Sequence, residues 1–186
     1  GIDKLTYAAN RNVLYTFNKN KKFKFIKCDI SNYKGLKKIF KSYDIHHVIN
    51  FAAETHVDTS IKSPDIFIKT NINGTYNLLK LSCEKWIVGK NKKYKNSRYL
   101  QVSTDEVYGS IKKGKFTEKS QFKPNSPYSS SKASADLLVR SFHKTFGLNT
   151  LTTNSANNFG TGQNKEKLIP TIIDSLLKKK KYSNLW

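Results

Sequence analysis

The sequence predicts an α/β fold built on a doubly wound parallel sheet, and three observations support that prediction. Short apolar runs that fit strands alternate along the chain with longer helical patterns. Polar residues follow directly after several of these runs, at the sheet edge where ligands bind in open α/β folds. The 186 residues suffice for one domain with a substantial core, and no repeat or clear linker divides them.

Two short strands and a helix fit the beginning of the chain. Gly1–Tyr7 reads as the end of a strand that carries Asp3, and Phe23–Cys28 reads as a second, apolar-rich strand. Ser31 is a candidate N-cap for a helix over Tyr33–Tyr43, because a serine hydroxyl can accept from the first free backbone N–H groups. One face of that helix is apolar, with Leu36, Ile39 and Phe40.

The middle of the chain predicts a buried strand followed by a long helix. His47–Phe51 is the strand, and the polar residues Glu54 and Thr55 follow it after two small alanines. Pro64 opens the helical pattern, and a basic loop, Lys90–Ser97, comes before the next strand. The apolar or sulfur-bearing positions of the helix are Ile68, Ile72, Tyr76, Leu79 and Cys83.

The last part of the chain continues the alternation of strand and helix. Arg98–Val102 is a strand candidate, and the helix that comes after a long loop runs to about Phe146. Gly147 is a suitable C-cap, since glycine adopts the left-handed conformation without strain. Leu148–Thr153 predicts a further strand, and Ile169–Lys179 predicts the final helix.

Tyr128 and Lys132 form the first candidate site. A spacing of four residues within a helical pattern places both side chains on one face. A phenol with an ordinary pKa of about 10 is a poor base at neutral pH, and a neighbouring ammonium lowers that pKa. Such a pair can remove a proton from an alcohol as hydride leaves the same carbon. The alternative is an amphipathic surface pair, because this spacing occurs by chance in many helices.

A second polar group, Thr104, Asp105 and Glu106, follows the strand that starts at Arg98. Paired carboxylates with different pKa values allow one site to do both acid and base work. The alternative is a capped turn with solvated acids. His56 lies near this edge but has no clustered ligand partners, so no metal site is predicted. The two unclustered thiols suit a reducing cytoplasm.

The formal net charge of +21 raises the alternative of nucleic-acid binding. Only three of the 34 basic residues are arginines, which are the usual readers of bases and phosphates, and no nucleic-acid-binding motif is present. The charge can instead help to capture an anionic nucleotide. No apolar run reaches the roughly 18 residues that span a bilayer, and no signal peptide is recognisable, so a cytoplasmic protein without membrane contact is expected.

Several segments, taken together, resemble the nucleotide-sugar branch of the extended short-chain dehydrogenase/reductase family. Within that branch they are similar to the 4,6-dehydratases that act on dTDP-glucose, because Thr-Asp-Glu before Val-Tyr-Gly separates these from the epimerases. The segments run in the family's order over nearly the whole chain: Asp3–Ala8, Phe51–Asp58, Asn71–Tyr76, Ser103–Gly109, Tyr128–Ala133, Thr153–Gly160 and Glu166–Pro170.

The resemblance implies a dehydration of a nucleotide-linked glucose to a 4-keto-6-deoxy sugar, a step toward deoxysugars of cell-surface polysaccharide such as lipopolysaccharide. Tyr128 with Lys132 would deprotonate the 4-hydroxyl, and Thr104 would hold the 4-oxygen. Glu106 would take the C5 proton, and Asp105 would protonate the departing 6-hydroxyl. Another nucleotide-sugar dehydratase or an epimerase remains an alternative.

The resemblance also implies NAD as cofactor, a nucleotide-sugar substrate and a homodimer in which two helices of each subunit pair. The implied cofactor contacts, besides Tyr128 and Lys132, are Asp3, Lys4, Leu5, Thr6, Asp29, Ile30, Phe51, Ala52, Ala53, Glu54, Thr55, Thr70 and Asn158. The implied substrate contacts are Thr55, Thr104, Asn157, Lys167 and Leu168.

The chain departs from the family's pattern at both ends. The first strand and the glycine-rich phosphate loop of an NAD-binding Rossmann-like domain are missing, as is the substrate domain after about Pro170. Residues 1–186 are therefore expected to be a partial cofactor-binding domain, an internal fragment of a longer protein. Three interpretations stay open: a piece of an active enzyme, the product of a decaying gene, or a basic binding protein on an old enzyme scaffold.

Overall fold

A computed structural model describes residues 1–89 and 92–178 of the chain. Its strands and α-helices, in chain order, are β1 (Ile2–Asp3), α1 (Arg11–Asn18), β2 (Ile26–Lys27), α2 (Tyr33–Ser42), β3 (His47–Asn50), α3 (Val57–Lys62), α4 (Asp65–Phe67), α5 (Thr75–Cys83), β4 (Arg98–Thr104), α6 (Pro127–Phe146), β5 (Thr150–Ser155) and α7 (Leu168–Leu177). Strands and helices alternate, as the sequence predicts.

All strand pairs among these elements are parallel. Strands β3, β4 and β5 form one sheet in that order, in which Asn50 pairs with Gln101 and Thr104 pairs with Ser155. Strand β1 pairs with β2 in a separate sheet of two strands. Parallel strands joined through helices are the pattern of a doubly wound α/β fold, which confirms the predicted fold class.

The chain divides into two compact units. Within the described residues, the first unit contains residues 1–27 and 157–178, and the second contains residues 28–89 and 92–156. The three-stranded sheet and helices α2 to α6 belong to the second unit, whose core contains Leu36, Leu79 and Leu148, each 0% exposed. The first unit contains the two-stranded sheet with helices α1 and α7, neither of which has a buried residue.

Helix α6 has clear sequence signals at both ends. Ser126 caps its start through a capping box with Ser129, and Pro127 occupies the first helical position, where its missing N–H is harmless. Gly147 closes the helix in the left-handed conformation, with φ of 69°. The predicted end at Phe146 and the predicted glycine cap are therefore confirmed.

The long helix that Pro64 was predicted to open is present, but it is not uniformly α-helical. Helix α4 runs into a π-helical segment, Ile68–Gly74, before α5 begins, and a second π-helical segment, Glu84–Val88, follows α5. Each wide turn shifts the side chains that follow it around the helix axis. π-Helical turns are frequent at functional sites, and the first of these holds two polar residues of the candidate site.

Strand β3 corrects the prediction of a buried strand. Only Asn50 is buried in it, whereas Ile49 is 56% exposed and Phe51, just beyond the strand, is 73% exposed. The reason is that β3 lies at the edge of its sheet and pairs with β4 alone among the described residues. An apolar run shows that a strand can be buried. Whether it is buried depends on the position of the strand in the sheet, because an edge strand has a neighbouring strand on one side only.

Several predicted boundaries also need correction. Asn32, not Ser31, caps α2, because its side chain accepts from the Gly35 N–H at 3.0 Å. The N–H of Ser31 instead donates to Asp29 Oδ1 at 2.8 Å. Strand β2 is shorter than the predicted strand, and β5 begins two residues later than predicted. Lys90, at the start of the predicted basic loop, and Lys179, at the predicted end of the last helix, lie outside the described residues.

No helix in the described part of the chain is both long enough and apolar enough to cross a membrane.

Candidate active site

Tyr128 and Lys132 lie on the buried face of α6. Their exposed fractions are 8% and 5%, so the alternative of an amphipathic surface pair is wrong. The Lys132 ammonium donates to the backbone carbonyl of Val102 on β4 at 2.6 Å. This bond joins the helix to the strand and fixes the position of a long, otherwise mobile side chain.

Thr104, the last residue of β4, brings the second polar group to the tyrosine. The Thr104 hydroxyl lies close enough to Tyr128 to lower the pKa of its phenol, against the larger effect of burial. The same threonine oxygen accepts from the Glu106 N–H at 3.2 Å and so caps the short 3₁₀ helix Asp105–Tyr108. Both acidic residues therefore sit in the turn that Thr104 begins, and the negative charge of each acts on Tyr128.

Gly109 ends this turn and permits a close backbone approach. Its φ is 83°, and a Cβ at this position would lie 2.2 Å from the carbonyl oxygen of Lys123. The Lys123 N–H donates to the Val107 carbonyl at 2.9 Å, which holds the following loop against the turn. A side chain at position 109 would push this loop away from the acidic pair.

The pKa of Tyr128 corrects a prediction made from the tyrosine–lysine spacing. Burial, followed by the charge of Glu106, raises this pKa to about 12, with smaller contributions from Asp105 and Asp136. Lys132 was expected to lower the pKa, but its ammonium points to a backbone carbonyl. Helix spacing places two side chains on one face, whereas desolvation and the neighbouring carboxylates set the protonation of the phenol.

Asn71 connects the segment after β3 to the same helix. Its side-chain amide donates to the Glu54 carbonyl at 3.0 Å and accepts from the Glu54 N–H at 2.8 Å. It also donates to the Ser131 hydroxyl at 2.8 Å. Asn71 belongs to the first π-helical segment, as does the buried Thr70, so this segment brings the predicted Glu54 group close to α6.

Asp136 is a buried carboxyl beside this site to which the sequence analysis gave no role. Its Oδ2 accepts from the Ser103 hydroxyl at 2.6 Å and from the Asn154 amide at 3.4 Å. Burial raises its pKa to about 6, against the opposing effects of Ser103, Lys132 and Asn154. The signal that could have found it is its spacing, since Asp136 follows Lys132 by four residues on the same helix face.

The predicted cofactor and substrate residues are divided between the two units. Asp29, Ile30, Phe51–Thr55 and Thr70 belong to the second unit, together with Tyr128 and Lys132. Asp3–Thr6, Asn157, Asn158, Lys167 and Leu168 belong to the first unit. The second unit thus contains every residue predicted to take part in the chemistry.

In the first unit, Asp3 occupies the predicted position at the carboxyl end of β1. Its side chain accepts from the Leu5 N–H at 2.5 Å, and Leu5 has a positive φ of 56°. A cavity of about 490 Å³ lies in this unit between residues 7–12 and residues 162–165. Lys167 and Leu168 lie at the start of α7, and Asn157 and Asn158 are exposed ahead of it.

No group of three or more His, Cys, Asp or Glu side chains in residues 1–89 and 92–178 is placed to hold a metal ion. His56 instead caps α3, where its Nδ1 accepts from the Thr59 N–H at 3.4 Å.

The parallel sheet flanked by helices and the buried tyrosine–lysine pair define an α/β protein with a candidate acid–base site. Residues 1–184 match the family described as GDP-mannose 4,6 dehydratase, and the chain belongs to that family.

Two of the most similar relatives confirm the predicted resemblance. The dTDP-glucose 4,6-dehydratase of Xanthomonas campestris pv. campestris (strain B100) is 46% identical over 177 residues, which are 95% of this chain and 50% of the relative. That of Haemophilus influenzae is 44% identical over 94% of this chain and 52% of its own length. The solved structure of the enzyme from Streptomyces venezuelae with NAD bound has a TM-score of 0.85 and 40% identity, and covers 96% of this chain and 52% of that one. This chain spans about half the length of the curated relatives it matches.

Proposed function

We propose that this chain carries the catalytic residues of a dTDP-glucose 4,6-dehydratase, an NAD-dependent hydro-lyase that forms dTDP-4-keto-6-deoxyglucose. The observation that carries the proposal is that Tyr128 and Lys132 lie buried next to Thr104, with Asp105 and Glu106 in the turn that Thr104 caps. An epimerase needs one acid–base group at C4. A dehydratase needs in addition a base at C5 and an acid at the 6-hydroxyl, and this turn offers two carboxyls beyond the tyrosine.

Each residue has one task in the proposed reaction. Tyr128 accepts the proton of the 4-hydroxyl, and Thr104 holds the 4-oxygen by a hydrogen bond. Glu106 removes the C5 proton, which the neighbouring ketone has made acidic, and Asp105 protonates the departing 6-hydroxyl. Bound NAD+ would supply a positive charge, an acceptor for the hydride from C4 and, once water has left, the donor that returns this hydride to C6. A Tyr128 pKa of about 12 keeps the phenol protonated in the free chain, so phenolate formation belongs to the complex with its ligands.

The residues present fit the cofactor in their chemistry. Asp3 presents an exposed carboxylate at a strand end, and a carboxylate there can accept from the two hydroxyls of an adenosine ribose. Lys4, Leu5, Thr6 and Asn158 belong to the same unit as Asp3. In the second unit the cofactor would be held by Asp29, Ile30, Phe51, Ala52, Ala53, Glu54, Thr55, Thr70, Tyr128 and Lys132. The substrate would be held by Thr55, Thr104, Asn157, Lys167 and Leu168.

The test is the double substitution Asp105→Asn and Glu106→Gln. We would place this chain in a chimera in which it replaces the matching segment of the Xanthomonas campestris relative, so that the rest of that enzyme is supplied. The amides keep the size of the side chains but cannot exchange protons. Formation of the 4-keto-6-deoxy product should fall by several orders of magnitude, while oxidation at C4 persists as a transient NADH absorbance.

The matched control is the pair Asp58→Asn and Glu118→Gln, which removes the same two charges at positions without a proposed role. These variants should keep the parent rate. Near-normal product formation by the Asp105–Glu106 double amide would remove both residues from the mechanism. Interconversion of C4 epimers without loss of water by the unsubstituted chimera would refute the dehydratase assignment and favour an epimerase.

We also propose a homodimer for the protein that carries this chain. The supporting observation is apolar surface on the helical region that follows Pro64 and on α6, because the family resemblance implies that these two helices pair across the dimer. Ile68 is 49% exposed, Tyr76 is 42% exposed and Leu137 on α6 is 56% exposed. Leu79 and Phe142, on the same two helices, are buried within the second unit, at 0% and 9% exposure.

Leu137→Glu tests the dimer, with Leu176→Glu on α7 as a matched control, since both leucines are more than half exposed. Sedimentation of the chimera should show a dimer. Leu137→Glu should raise the dissociation constant of this dimer at least tenfold, because a charge in an apolar interface is desolvated. Leu176→Glu should leave it intact. A monomer at micromolar concentration would contradict the proposal. We further propose that the protein acts in the cytoplasm, in deoxysugar synthesis for cell-surface polysaccharide such as lipopolysaccharide.

A further inference from the structure

Tyr128, Lys132 and Asp136 lie at successive intervals of four residues along α6, so all three side chains share one helix face. The proposed reaction uses the first two and gives Asp136 no task. Yet Asp136 is only 5% exposed, as buried as Lys132. A buried carboxyl has a large desolvation cost unless it has specific partners, so its surroundings indicate what it does.

The polar partners of Asp136 come from two strands. Ser103 on β4 donates its hydroxyl to Oδ2 at 2.6 Å, and Asn154 on β5 donates its amide to the same oxygen at 3.4 Å. Asn154 also donates to the Thr104 carbonyl at 3.3 Å. Asp136 therefore connects α6 to the ends of both strands, next to Thr104.

The second carboxyl oxygen points to an electrostatic role. Asp136 Oδ1 is buried and has no hydrogen-bond partner among the described residues. The charge of Asp136 acts on Lys132 and Tyr128 on its own helix, on Tyr99 on β4 and on Tyr108 in the 3₁₀ helix. Three of these are phenols, which are neutral near pH 7. Lys132 is the one member of the set that can carry a positive charge.

We propose that Asp136 is a positioning residue for the tyrosine–lysine pair: its buried negative charge keeps Lys132 protonated, and its bonds to Ser103 and Asn154 hold that helix face against β4 and β5. The inference rests on the proposed function of Tyr128 and Lys132. Burial lowers the pKa of Lys132, and the charge of Asp136 acts in the opposite direction. Without that charge, a lysine so buried loses its proton more readily and can no longer stabilise a phenolate.

The test compares Asp136→Asn with Ser103→Ala in the 186-residue chain. Asparagine keeps the shape of the side chain and an oxygen that accepts from Ser103, but removes the charge. Alanine at position 103 removes the hydrogen bond but keeps the carboxylate, which is still ionised in the alkaline range where a lysine titrates. The two variants thus separate the charge of Asp136 from its hydrogen bond.

The readout is the titration of Lys132 followed by NMR in chain labelled at the lysine side-chain carbons, with the signal assigned by Lys132→Arg. The pKa of Lys132 should fall by about one pH unit or more in Asp136→Asn and should hardly change in Ser103→Ala. An equal Lys132 pKa in the parent chain and in Asp136→Asn would overturn the proposal. This measurement needs no catalysis, so it stands or falls independently of the proposed reaction.

Should Asp136→Asn fail to fold, the titration of Lys132 in the parent chain tests the proposal without a variant. The Lys132 signal should then show a small additional step at the pH where the Asp136 carboxyl titrates, because the two charges interact. Absence of that step would overturn the proposal equally.

In the active chimera, Asp136→Asn should move the alkaline limb of the pH–rate profile to lower pH, whereas Ser103→Ala should leave that limb in place. An inactive parent chimera would refute the proposed function. The role of Asp136 would then be tested by the NMR titration of Lys132 alone.

Discussion

Helices α6 and α7 differ in how many of their residues are buried in the described part of the chain. Helix α6 carries the predicted catalytic pair and buries nine of its residues, whereas α7, which begins at the predicted substrate contact Leu168, buries none. The exposed leucines of α7 include Leu176 at 63% and Leu177 at 80%. Tyr128 and Lys132 are therefore fixed by packing within their own unit, whereas Lys167 and Leu168, two of the proposed substrate contacts, lie at the start of a helix without a buried residue.

This difference matters because burial determines how strongly charges act on one another. Tyr128, Lys132 and Asp136 are all nearly excluded from solvent, so their mutual effects are screened far less than those between surface charges. Lys167 lies 3.9 Å from Glu166, with side chains that are 31% and 22% exposed. An ion pair at that distance and exposure contributes little to stability. Substitutions in buried and in exposed helices should therefore differ as strongly in their effects on function and stability as the helices differ in burial.

The largest effect is expected at the hydroxyl of Tyr128. Tyr128→Phe in the chimera should reduce turnover by a factor of about 10² to 10⁴, which is typical for a positioned acid–base group. Tyr108→Phe is the control, because Tyr108 is also 8% exposed and packs against Phe116 and Phe122 without a proposed catalytic task. Comparable rates for the two variants would remove Tyr128 from the mechanism.

The next effect concerns stability and compares two leucines in helices of the two units. Leu79→Ala in α5 should lower the free energy of unfolding by about 2–5 kcal/mol, because Leu79 is 0% exposed and its loss leaves a cavity. Leu176→Ala in α7 should change it by less than about 0.5 kcal/mol. Urea denaturation of the 186-residue chain measures both. Equal losses would show that α7 is packed in solution.

The smallest effect is a pH dependence of stability through Asp136. Its pKa of about 6 in the folded chain lies above the ordinary value of 3.8, so the folded state binds more protons between these values. Protonated Asp136 therefore stabilises the folded chain below its pKa in the unfolded state. This stabilisation is lost as the pH rises through the pKa of Asp136 in the folded state. Relative to Asp136→Asn, the parent chain should therefore lose on the order of 2 kcal/mol between pH 4 and pH 7.

Urea denaturation of both chains at several pH values checks this prediction. Ser103→Ala provides a further comparison, because loss of its hydrogen bond to the carboxylate should raise the pKa of Asp136 and move the change to higher pH. A stability difference between parent and Asp136→Asn that does not vary with pH would show that Asp136 keeps an ordinary pKa in the folded chain.

The sequence by itself determined the features that depend on local chemistry. The alternation of strands and helices, the start of the long helix near Pro64 and the glycine cap of α6 follow from periodicity and from backbone preferences. The same helical period placed Tyr128 and Lys132 on one face, and the polar residues after β4 were expected at the end of a strand. These predictions need no knowledge of what packs against each element.

Tertiary structure alone decided which residues are buried and which groups lie next to each charged side chain. Strand β3 resembles a core strand in sequence but lies at a sheet edge, so Ile49 is exposed. Tyr128 has a raised pKa rather than a lowered one, because burial and the Glu106 turn outweigh its helix neighbour. Asp136 gains its partners from Ser103 and Asn154, which are 33 and 18 residues away in the chain. Desolvation and long-range contacts depend on the whole fold, so no local pattern in the sequence specifies them.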